Sequence, residues 1–289
     1  MISSAKDRRE PEGVVMGEQR SYQDRHAAAL EVLTTMTGGK ADAERSSRAM
    51  VRHMGALGSF AVDNVMGDLW SRTQLSRRDR SLVVVTFLAT QGRDEELEAH
   101  IEIGLQHGLT RSEIEEIVIQ VAGYAGFPAA MSATRHVDAV FCRLDGVERQ
   151  PERSPAASKD DAQRSADAMD VLHTLFAGRA ASDPAEALAG MQTRLGDVGT
   201  LAFNWAFGEI WSRTELSRRD RSLVVVSILA ALSRAEELAV HVPGALNHGV
   251  TRVEVEEVMV QLALYGGFPR AVEGIKAAKA AFAKIDARG

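Results

Sequence analysis

The sequence has too few cysteines and too few long apolar runs for several classes of protein. Its 289 residues include one cysteine, Cys142, which excludes an intramolecular disulfide and any Cys-x-x-Cys redox or zinc motif. The longest apolar runs, 82–89 and 223–232, are about half of the ~20 residues that a membrane helix needs, so no membrane partner is expected. The net charge of −6 offers no basic stripe and argues against a nucleic-acid partner.

Proline and aromatic residues are scarce too. Seven prolines leave little room for a turn-rich β-protein, whereas the many Ala, Leu, Val, Glu and Arg residues favour helices. Residues 1–17 are charged and have no apolar stretch, so they are unlike a signal peptide. We therefore expect a disordered tail over residues 1–21 and a cytoplasmic protein.

The chain does contain an internal repeat. Residues 67–85 return at 208–226, displaced by 141 residues, and 16 of these 19 positions are identical. Sequence identity between the two halves is lower after residue 85 and very low before Gly67. A recent duplication would give similar identity throughout, so it does not by itself account for the high identity of this segment. Residues 146–164 have the prolines, serines and charges of an exposed linker. The expected domains are therefore 22–145 and 165–289, each with a core of its own.

Each half is predicted to be a series of helices. Apolar residues recur at steps of three and four, and capping residues mark the helix ends. Ser76 is placed to cap a helix that runs to Gln91, with Asp79 at the capping-box position. This helix has apolar residues on nearly every side and should be buried. The sequence thus predicts an all-α protein of two tandem helical domains related by a pseudo-two-fold axis.

The best candidates for chemistry lie on one face of the following helix. They are Arg93, Glu96 and His100, spaced i, i+3 and i+7, and their repeats Arg234, Glu237 and His241. Glu96 could accept a hydrogen bond from the imidazole of His100, fix its tautomer and raise its pKa towards the working pH. The histidines are then the acid or base catalysts and the glutamates orient them. A surface ion pair is the structural alternative.

Arginines cluster at the start of the buried helix of each half. They are Arg77, Arg78 and Arg80, repeated as Arg218, Arg219 and Arg221. Cations in a first helical turn oppose the helix dipole, so an anion is expected beside them. For Arg77 and Arg78 an internal network is favoured, with Asp79, Glu95 or Glu116 as partners. Arg80 and Arg221 could equally bind a substrate carboxylate.

Other recurring residues have a structural explanation. His107 and His248 precede the capping glycines Gly108 and Gly249, where a cation suits the helix dipole, so they are not counted as catalytic. Four aromatic residues could line a small pocket, although core packing also explains them: Trp70, Trp211, Tyr124 and Tyr265. Ser81 and Ser222 have no base within helical reach, which disfavours serine hydrolase chemistry. No His or carboxylate pair recurs at ligand spacing, so no metal site is expected.

Together these segments resemble the carboxymuconolactone decarboxylase family, and the second half resembles it at least as well as the first. The similar segments of the first half are Trp70-Ser71-Arg72, Leu75 to Leu82, Glu96-Leu97-Glu98-Ala99-His100, His107-Gly108-Leu109-Thr110, Glu113-Ile114-Glu115-Glu116 and Tyr124-Ala125-Gly126-Phe127-Pro128. The resemblance implies the all-helical fold that this family shares with the alkyl hydroperoxide reductase D group. That group uses a Cys-x-x-Cys pair, whose positions here are Arg93 and Glu96, and Arg234 and Glu237. Its relay glutamate corresponds to Ser81 and Ser222, so a hydroperoxide reductase is disfavoured.

The resemblance implies a decarboxylase that needs no cofactor. Its substrate would be a small carboxylated lactone or a related unsaturated or polyketide-like compound, which accepts the electrons left by CO2 into its own carbonyl group. Arginines would bind the carboxylate, and His100 and His241 would return a proton to carbon. The alternatives are a non-decarboxylating tailoring enzyme, catalysing isomerisation, lactone opening or cyclisation, and a non-catalytic ligand-binding or assembly protein.

The resemblance also bears on assembly. Single-domain relatives form hexamers, so a tandem chain is expected to form a homo-oligomer, with a trimer of two-domain chains favoured. The halves nevertheless differ near the predicted site: Pro243 follows His241 where Glu102 follows His100, and Trp205 replaces Asn64. The two pockets are therefore not expected to be equivalent.

Overall fold

The structure is a computed structural model that describes residues 20–178 and 180–287. Within these ranges the chain is helical and contains no strand, which confirms the predicted all-α class. The helices of the first half are α1 (Tyr22–Met36), α2 (Ala43–Met54), α3 (Ala56–Phe60), the π-helical segment π1 (Ala61–Trp70), α4 (Arg77–Gln91), α5 (Asp94–Gln106), α6 (Arg111–Tyr124) and α7 (Phe127–Asp145).

The second half repeats this order. Its helices are α8 (Asp161–Leu175), α9 (Pro184–Leu195), α10 (Asp197–Leu201), π2 (Ala202–Trp211), α11 (Arg218–Ala231), α12 (Ala235–Asn247), α13 (Arg252–Tyr265) and α14 (Phe268–Asp286). Pro243 lies inside α12, which continues through it.

The predicted caps are formed, with one difference. The Ser76 hydroxyl accepts a hydrogen bond from the backbone N–H of Asp79, and Thr110 forms a reciprocal capping box with Glu113. The carboxylate of Asp79 does not close a capping box, because it pairs instead with Arg219 of the other half, at 3.0 Å. A long-range ion pair has replaced a local hydrogen bond.

The short helix α3 continues directly into π1, whose turns are wider than those of an α-helix. Each π segment packs closely on the first helix of its half, and a Cβ added at Gly67 would lie 2.7 Å from the carbonyl oxygen of Arg25. Only glycine allows this approach. Gly208 has the same role against Arg164. Since π segments are less regular than α-helices and often occur at functional sites, the positions of Trp70 and Trp211 at their ends are informative.

The two halves share one core, which corrects the expectation of a separate core in each domain. α4 and α11 are buried almost all round and pack against each other, as predicted for the central helix. α6 of the first half also packs on α11, and α13 of the second half packs on α4. Apolar residues of both halves therefore form one continuous cluster.

The segment between the halves ends sooner than predicted, because α8 begins at Asp161, inside the range assigned to the linker. Arg153 ties this segment to the first half through Glu115 and Asp138, at 2.8 and 2.7 Å. The predicted tail lies outside the described residues except for Arg20 and Ser21, of which Ser21 caps α1. No helix in the described parts of the chain is long and apolar enough to span a membrane.

Candidate functional site

Each predicted histidine lies in an aromatic box that both halves build. We call the first box the His100 site. In it the ring of His100 on α5 stacks on Trp70 at a centroid distance of 6.1 Å and meets the edge of Tyr265 from α13 at 5.4 Å. In the His241 site the corresponding distances are 6.3 Å to Trp211 and 5.4 Å to Tyr124. The predicted aromatic residues therefore surround the predicted histidines, but each tyrosine comes from the opposite half.

A hydrogen-bond chain orients the imidazole of His100. The indole Nε1–H of Trp70 donates to the hydroxyl of Tyr265 at 2.9 Å, and that hydroxyl lies 3.5 Å from Nε2 of His100. An indole can only donate, so the tyrosine hydroxyl keeps its own proton and can either donate to Nε2 or accept from it. The other nitrogen, Nδ1, is buried without a hydrogen-bond partner among the described residues.

Burial makes both histidines neutral at physiological pH. Desolvation lowers the pKa of His100 to about 4, and the charge of nearby His107 acts in the same direction. The pKa of His241 is lowered to about 4 for the same reasons, with His248 as its neighbour. The expectation that Glu96 raises the pKa of His100 was therefore wrong.

Glu96 and Glu237 are exposed in the first turns of α5 and α12 and do not orient the imidazoles. In the His100 site, Nε2 faces Tyr265 and Nδ1 has no partner, so the predicted bond to Glu96 is not formed. Arg93 and Arg234 are also exposed, and they precede the same two helices. The shared helix face was real, but its outer end faces solvent while the histidine end is covered by another helix.

Arg80 is fully buried and is satisfied by the protein itself. Its Nη2 contacts Glu257 at 2.6 Å, its Nη1 donates to Gln261 at 2.8 Å, and its Nε and Nη2 donate to the carbonyl of Arg72. Burial raises the pKa of Glu257, but the hydrogen bond from Arg72 and the charge of Arg80 outweigh it and hold that pKa below its usual value. The anion expected beside Arg80 is thus an internal glutamate of the opposite half.

Arg221 has the same position in the His241 site but keeps free donors. Its Nη2 contacts Glu116 at 2.7 Å, as one predicted partner, and donates to the carbonyl of Arg213. Its Nε and Nη1 are buried without hydrogen-bond partners among the described residues, and so are both amide atoms of Gln120. Buried donors without acceptors cost free energy, so this pair is suited to an anionic or polar ligand.

The structure also forms a serine–histidine pair that sequence reasoning missed. Ser81 Oγ lies 2.8 Å from Nδ1 of His107, and Nε2 of the same ring lies 3.2 Å from the hydroxyl of Thr35. That hydroxyl donates to the carbonyl of Val32, so it accepts from Nε2–H, and Nδ1 accepts from Ser81. Ser81 has no base within reach on its own helix, as expected, but a base approaches it from the end of the next helix. Ser222 and His248 repeat the pair at 2.8 Å.

A second set of recurring residues lines the two sites, and the sequence repeat could have identified it. Glu116, Gln120 and Tyr124 are spaced i, i+4 and i+8 on α6, and Glu257, Gln261 and Tyr265 repeat that spacing on α13. This face was overlooked because it carries no histidine. It supplies the inner wall of the site in the other half.

Arg77 and Arg78 belong to internal networks, as favoured. Arg78 bonds Glu113 and reaches Asp220 of the other half at 2.8 Å, and Arg77 pairs with Glu31 at 2.7 Å. In the described parts of the chain no group of three or more His, Cys, Asp or Glu side chains is arranged to hold a metal ion.

The sequence is similar to known decarboxylases. It is 41% identical over 73 residues to a 4-carboxymuconolactone decarboxylase of Acinetobacter baylyi, covering 25% of this chain and 54% of that protein. It is 36% identical over 75 residues to a nitrosuccinic acid decarboxylase of Metarhizium robertsii, covering 26% and 52%. The match thus spans about half the length of these curated relatives.

A solved structure shares the fold across both halves. It is a chain from Burkholderia xenovorans assigned as a gamma-carboxymuconolactone decarboxylase subunit, with a TM-score of 0.50 and 20% identity, covering 91% of this chain and 98% of that one. The profile of the Carboxymuconolactone decarboxylase family matches residues 57–139 and again residues 196–280. These two matches take in most of both repeats, and the chain therefore belongs to the Carboxymuconolactone decarboxylase family.

Proposed function

We propose that this protein is a carboxy-lyase that needs no cofactor and acts on a small carboxylate whose own structure accepts the electrons left by CO2. The observation that carries this proposal is the buried Nδ1 of His100, which has no hydrogen-bond partner among the described residues and on which we place the imidazole proton. A donor in that position can bind an oxygen that becomes negative during the reaction. The two decarboxylases among the relatives support this choice of reaction.

The chemistry balances without an added oxidant or reductant. The bond between carbon and the carboxylate breaks, and its electron pair moves into the conjugated system and onto the oxygen of a lactone carbonyl or a nitro group. CO2 leaves, and the carbanion then takes up a proton. Both 4-carboxymuconolactone and nitrosuccinic acid contain such an electron-accepting group, which is why one site could serve either class.

A neutral imidazole suits the first step. With a pKa of about 4, His100 is neutral. It donates a hydrogen bond from Nδ1–H to the developing oxyanion and keeps the proton in this step. The negative charge then raises the pKa of the imidazole, so that His100 takes up one proton from solvent, passes it to the carbanion and returns to its neutral form. The aromatic walls exclude water, so each of these electrostatic interactions is stronger than in bulk solvent.

The His241 site has the better-placed group for a second carboxylate. Gln120 precedes Tyr124 by one turn of α6, about 6 Å along the helix. Arg221 contacts Glu116 on the same helix and has two buried nitrogens without hydrogen-bond partners among the described residues. We assign Arg221 and Gln120 as the carboxylate-binding pair of that site. Arg80 has no free nitrogen for the same task, and its role is to hold α13 against α4.

Release of CO2 from candidate acids tests the proposed reaction. The purified protein is expected to release one CO2 per molecule of 4-carboxymuconolactone or nitrosuccinic acid consumed, measured by a coupled bicarbonate assay together with product analysis. No CO2 from either acid, under conditions in which the Acinetobacter relative decarboxylates its own substrate, would reject the proposal for these two classes. Consumption of an acid without CO2 would identify a non-decarboxylating reaction instead.

We also propose that chains associate through two apolar faces. Met54, Leu57 and Phe60 are between 43% and 67% exposed on α2 and α3, and Leu195, Val198 and Leu201 repeat them on α9 and α10. No residue of α9 is buried within the chain. Two like faces in every chain allow each copy to contact two neighbours and close a ring, so the partner is a second copy, and a trimer remains our favoured assembly.

Light scattering tests the assembly. The wild-type protein is expected at about three times the 31.3 kDa chain mass, and Leu57→Glu combined with Val198→Glu is expected at the single-chain mass, because buried apolar contacts cannot accommodate carboxylates. Val147→Glu, which changes an exposed residue outside these faces, is the control. A wild-type monomer, or an unchanged oligomer in the double variant, contradicts the proposal.

A further inference from the structure

The two sites differ at their rim, in a position where the repeat is not maintained. Residue 205 of π2 is tryptophan, and its equivalent in π1 is Asn64. The ring of Trp205 stacks on Phe127 at a centroid distance of 5.4 Å and an interplanar angle of 17°. Phe127 opens α7 directly after the turn that follows Tyr124. We call Trp205 and Phe127 the aromatic rim.

The aromatic rim is a second bridge from π2, and it reaches the first residue of α7, just after the Tyr124 that helps to enclose His241. The first bridge is the hydrogen bond from Trp211 Nε1 to the Tyr124 hydroxyl, at 2.8 Å. Trp205 lies six residues before Trp211 on π2, and Phe127 lies three residues after Tyr124. The stack therefore joins π2 to the start of α7, close in the chain to both aromatic walls of the His241 site.

The His100 site has the first bridge alone. Trp70 donates to Tyr265 as its repeat does, but Asn64 has no ring to stack, and its amide bonds Asp68 at 3.3 Å on its own helix. Asn64 is exposed, and Phe268, the equivalent of Phe127, is 67% exposed against 58% for Phe127. An exposed polar side chain thus stands where the other site has a stacked indole.

Core packing does not account for the aromatic rim. Phe127 remains 58% exposed although it is stacked, so the pair lies at the surface and does not fill the interior. Stacked aromatic rings attract each other beyond the burial of their area, which favours the closed arrangement of the rim.

We propose that the aromatic rim narrows the entrance of the His241 site, so that Trp205 and Asn64 determine which acid each site accepts. The His241 site takes the smaller, acyclic acids, and the more open His100 site takes ring-containing ones. The choice of substrates in this inference rests on the proposed function. The difference in access between the two histidines does not depend on it.

Carbethoxylation by diethyl pyrocarbonate measures that access directly. The reagent is small and neutral, and both imidazoles are neutral at pH 7. Trypsin releases two equivalent peptides, 94–111 and 235–252, and fragment ions separate His100 from His107 and His241 from His248. His107 and His248 have matching partners in the two halves and serve as internal controls.

In the wild-type protein His100 is expected to react several-fold faster than His241. Trp205→Asn is expected to bring the rate at His241 close to that at His100, and Asn64→Trp to slow His100, while Trp205→Phe keeps a ring and retains the slow rate at His241. Equal rates at the two histidines in the wild type, or no change at His241 in Trp205→Asn, overturn the proposal. Circular dichroism establishes that each variant is folded.

Kinetics test the specificity. In a His100→Gln background, which leaves the His241 site, Trp205→Asn is expected to raise kcat/KM for 4-carboxymuconolactone about tenfold and to leave that for nitrosuccinic acid nearly unchanged. An equal effect on both acids would overturn the assignment of specificity. If neither acid is decarboxylated, the proposed function fails, and the carbethoxylation rates still decide whether the aromatic rim restricts access.

Discussion

Glu257→Ala is expected to lower the free energy of unfolding by about 3–5 kcal/mol, because the substitution leaves a buried guanidinium without its anion. The carboxylate of Glu257 is nearly inaccessible and contacts Arg80, which is completely buried, and Arg72, at 2.6 Å each. These contacts join α13 of the second half to α4 of the first, so the loss should weaken the interface between the halves as well.

Urea denaturation followed by circular dichroism measures this effect. Glu116→Ala should cost a similar amount, since Glu116 contacts Arg221 and Arg213 in the same way. Glu273→Ala, at an exposed position on α14, is the control and should change stability by less than about 0.5 kcal/mol. Glu257→Gln retains a hydrogen-bond acceptor and provides a folded variant if the alanine variant does not fold. A loss at Glu257 no larger than that at Glu273 contradicts the ion-pair interpretation.

The double variant His100→Ala/His241→Ala is expected to lose about 10²–10³-fold in kcat, because alanine has no donor for the developing oxyanion and no group that can carry a proton. Each single variant should lose only the activity of its own site. His173→Gln, an exposed histidine on α8, is the control. Full activity in the double variant would exclude both histidines from the reaction.

The pH profile distinguishes the neutral imidazole from an ordinary acid. Since burial lowers the pKa of His100 and His241 to about 4, kcat/KM should stay flat between about pH 5 and 8 and fall only as the pH approaches 4, where protonation of Nε2 breaks the bond from Tyr265. An imidazolium with its usual pKa would instead lose activity as the pH rises through about 6.5. A decline in that range would contradict the proposed role.

The sequence correctly predicted those features that depend on residues close together in the chain. Ser76 caps α4, Thr110 forms its capping box, and the helix with apolar residues on every side is buried, since each depends on residues within a few positions of one another. The two histidines were found for a related reason. Their recurrence in both halves made a surface explanation less favourable.

Predictions about partners failed where the partner lies far away in the chain. Glu96 was assigned to His100 because it lies four residues before it, but the ring contacts Tyr265, which is 165 residues away. Ser81 was considered to have no base within helical reach, but His107 approaches it from the adjacent helix at 2.8 Å. Spacing along one helix cannot show which side chains a neighbouring helix brings.

The sequence by itself determined the helices, their caps, the duplication and the residues that recur in it, because hydrophobic periodicity and capping act over one or two helical turns. Only the tertiary structure decided that the halves share one core, that each histidine is enclosed by a tyrosine of the opposite half, and that its pKa is lowered and not raised. Those outcomes follow from desolvation and from contacts between distant segments, which exist only after the helices have packed.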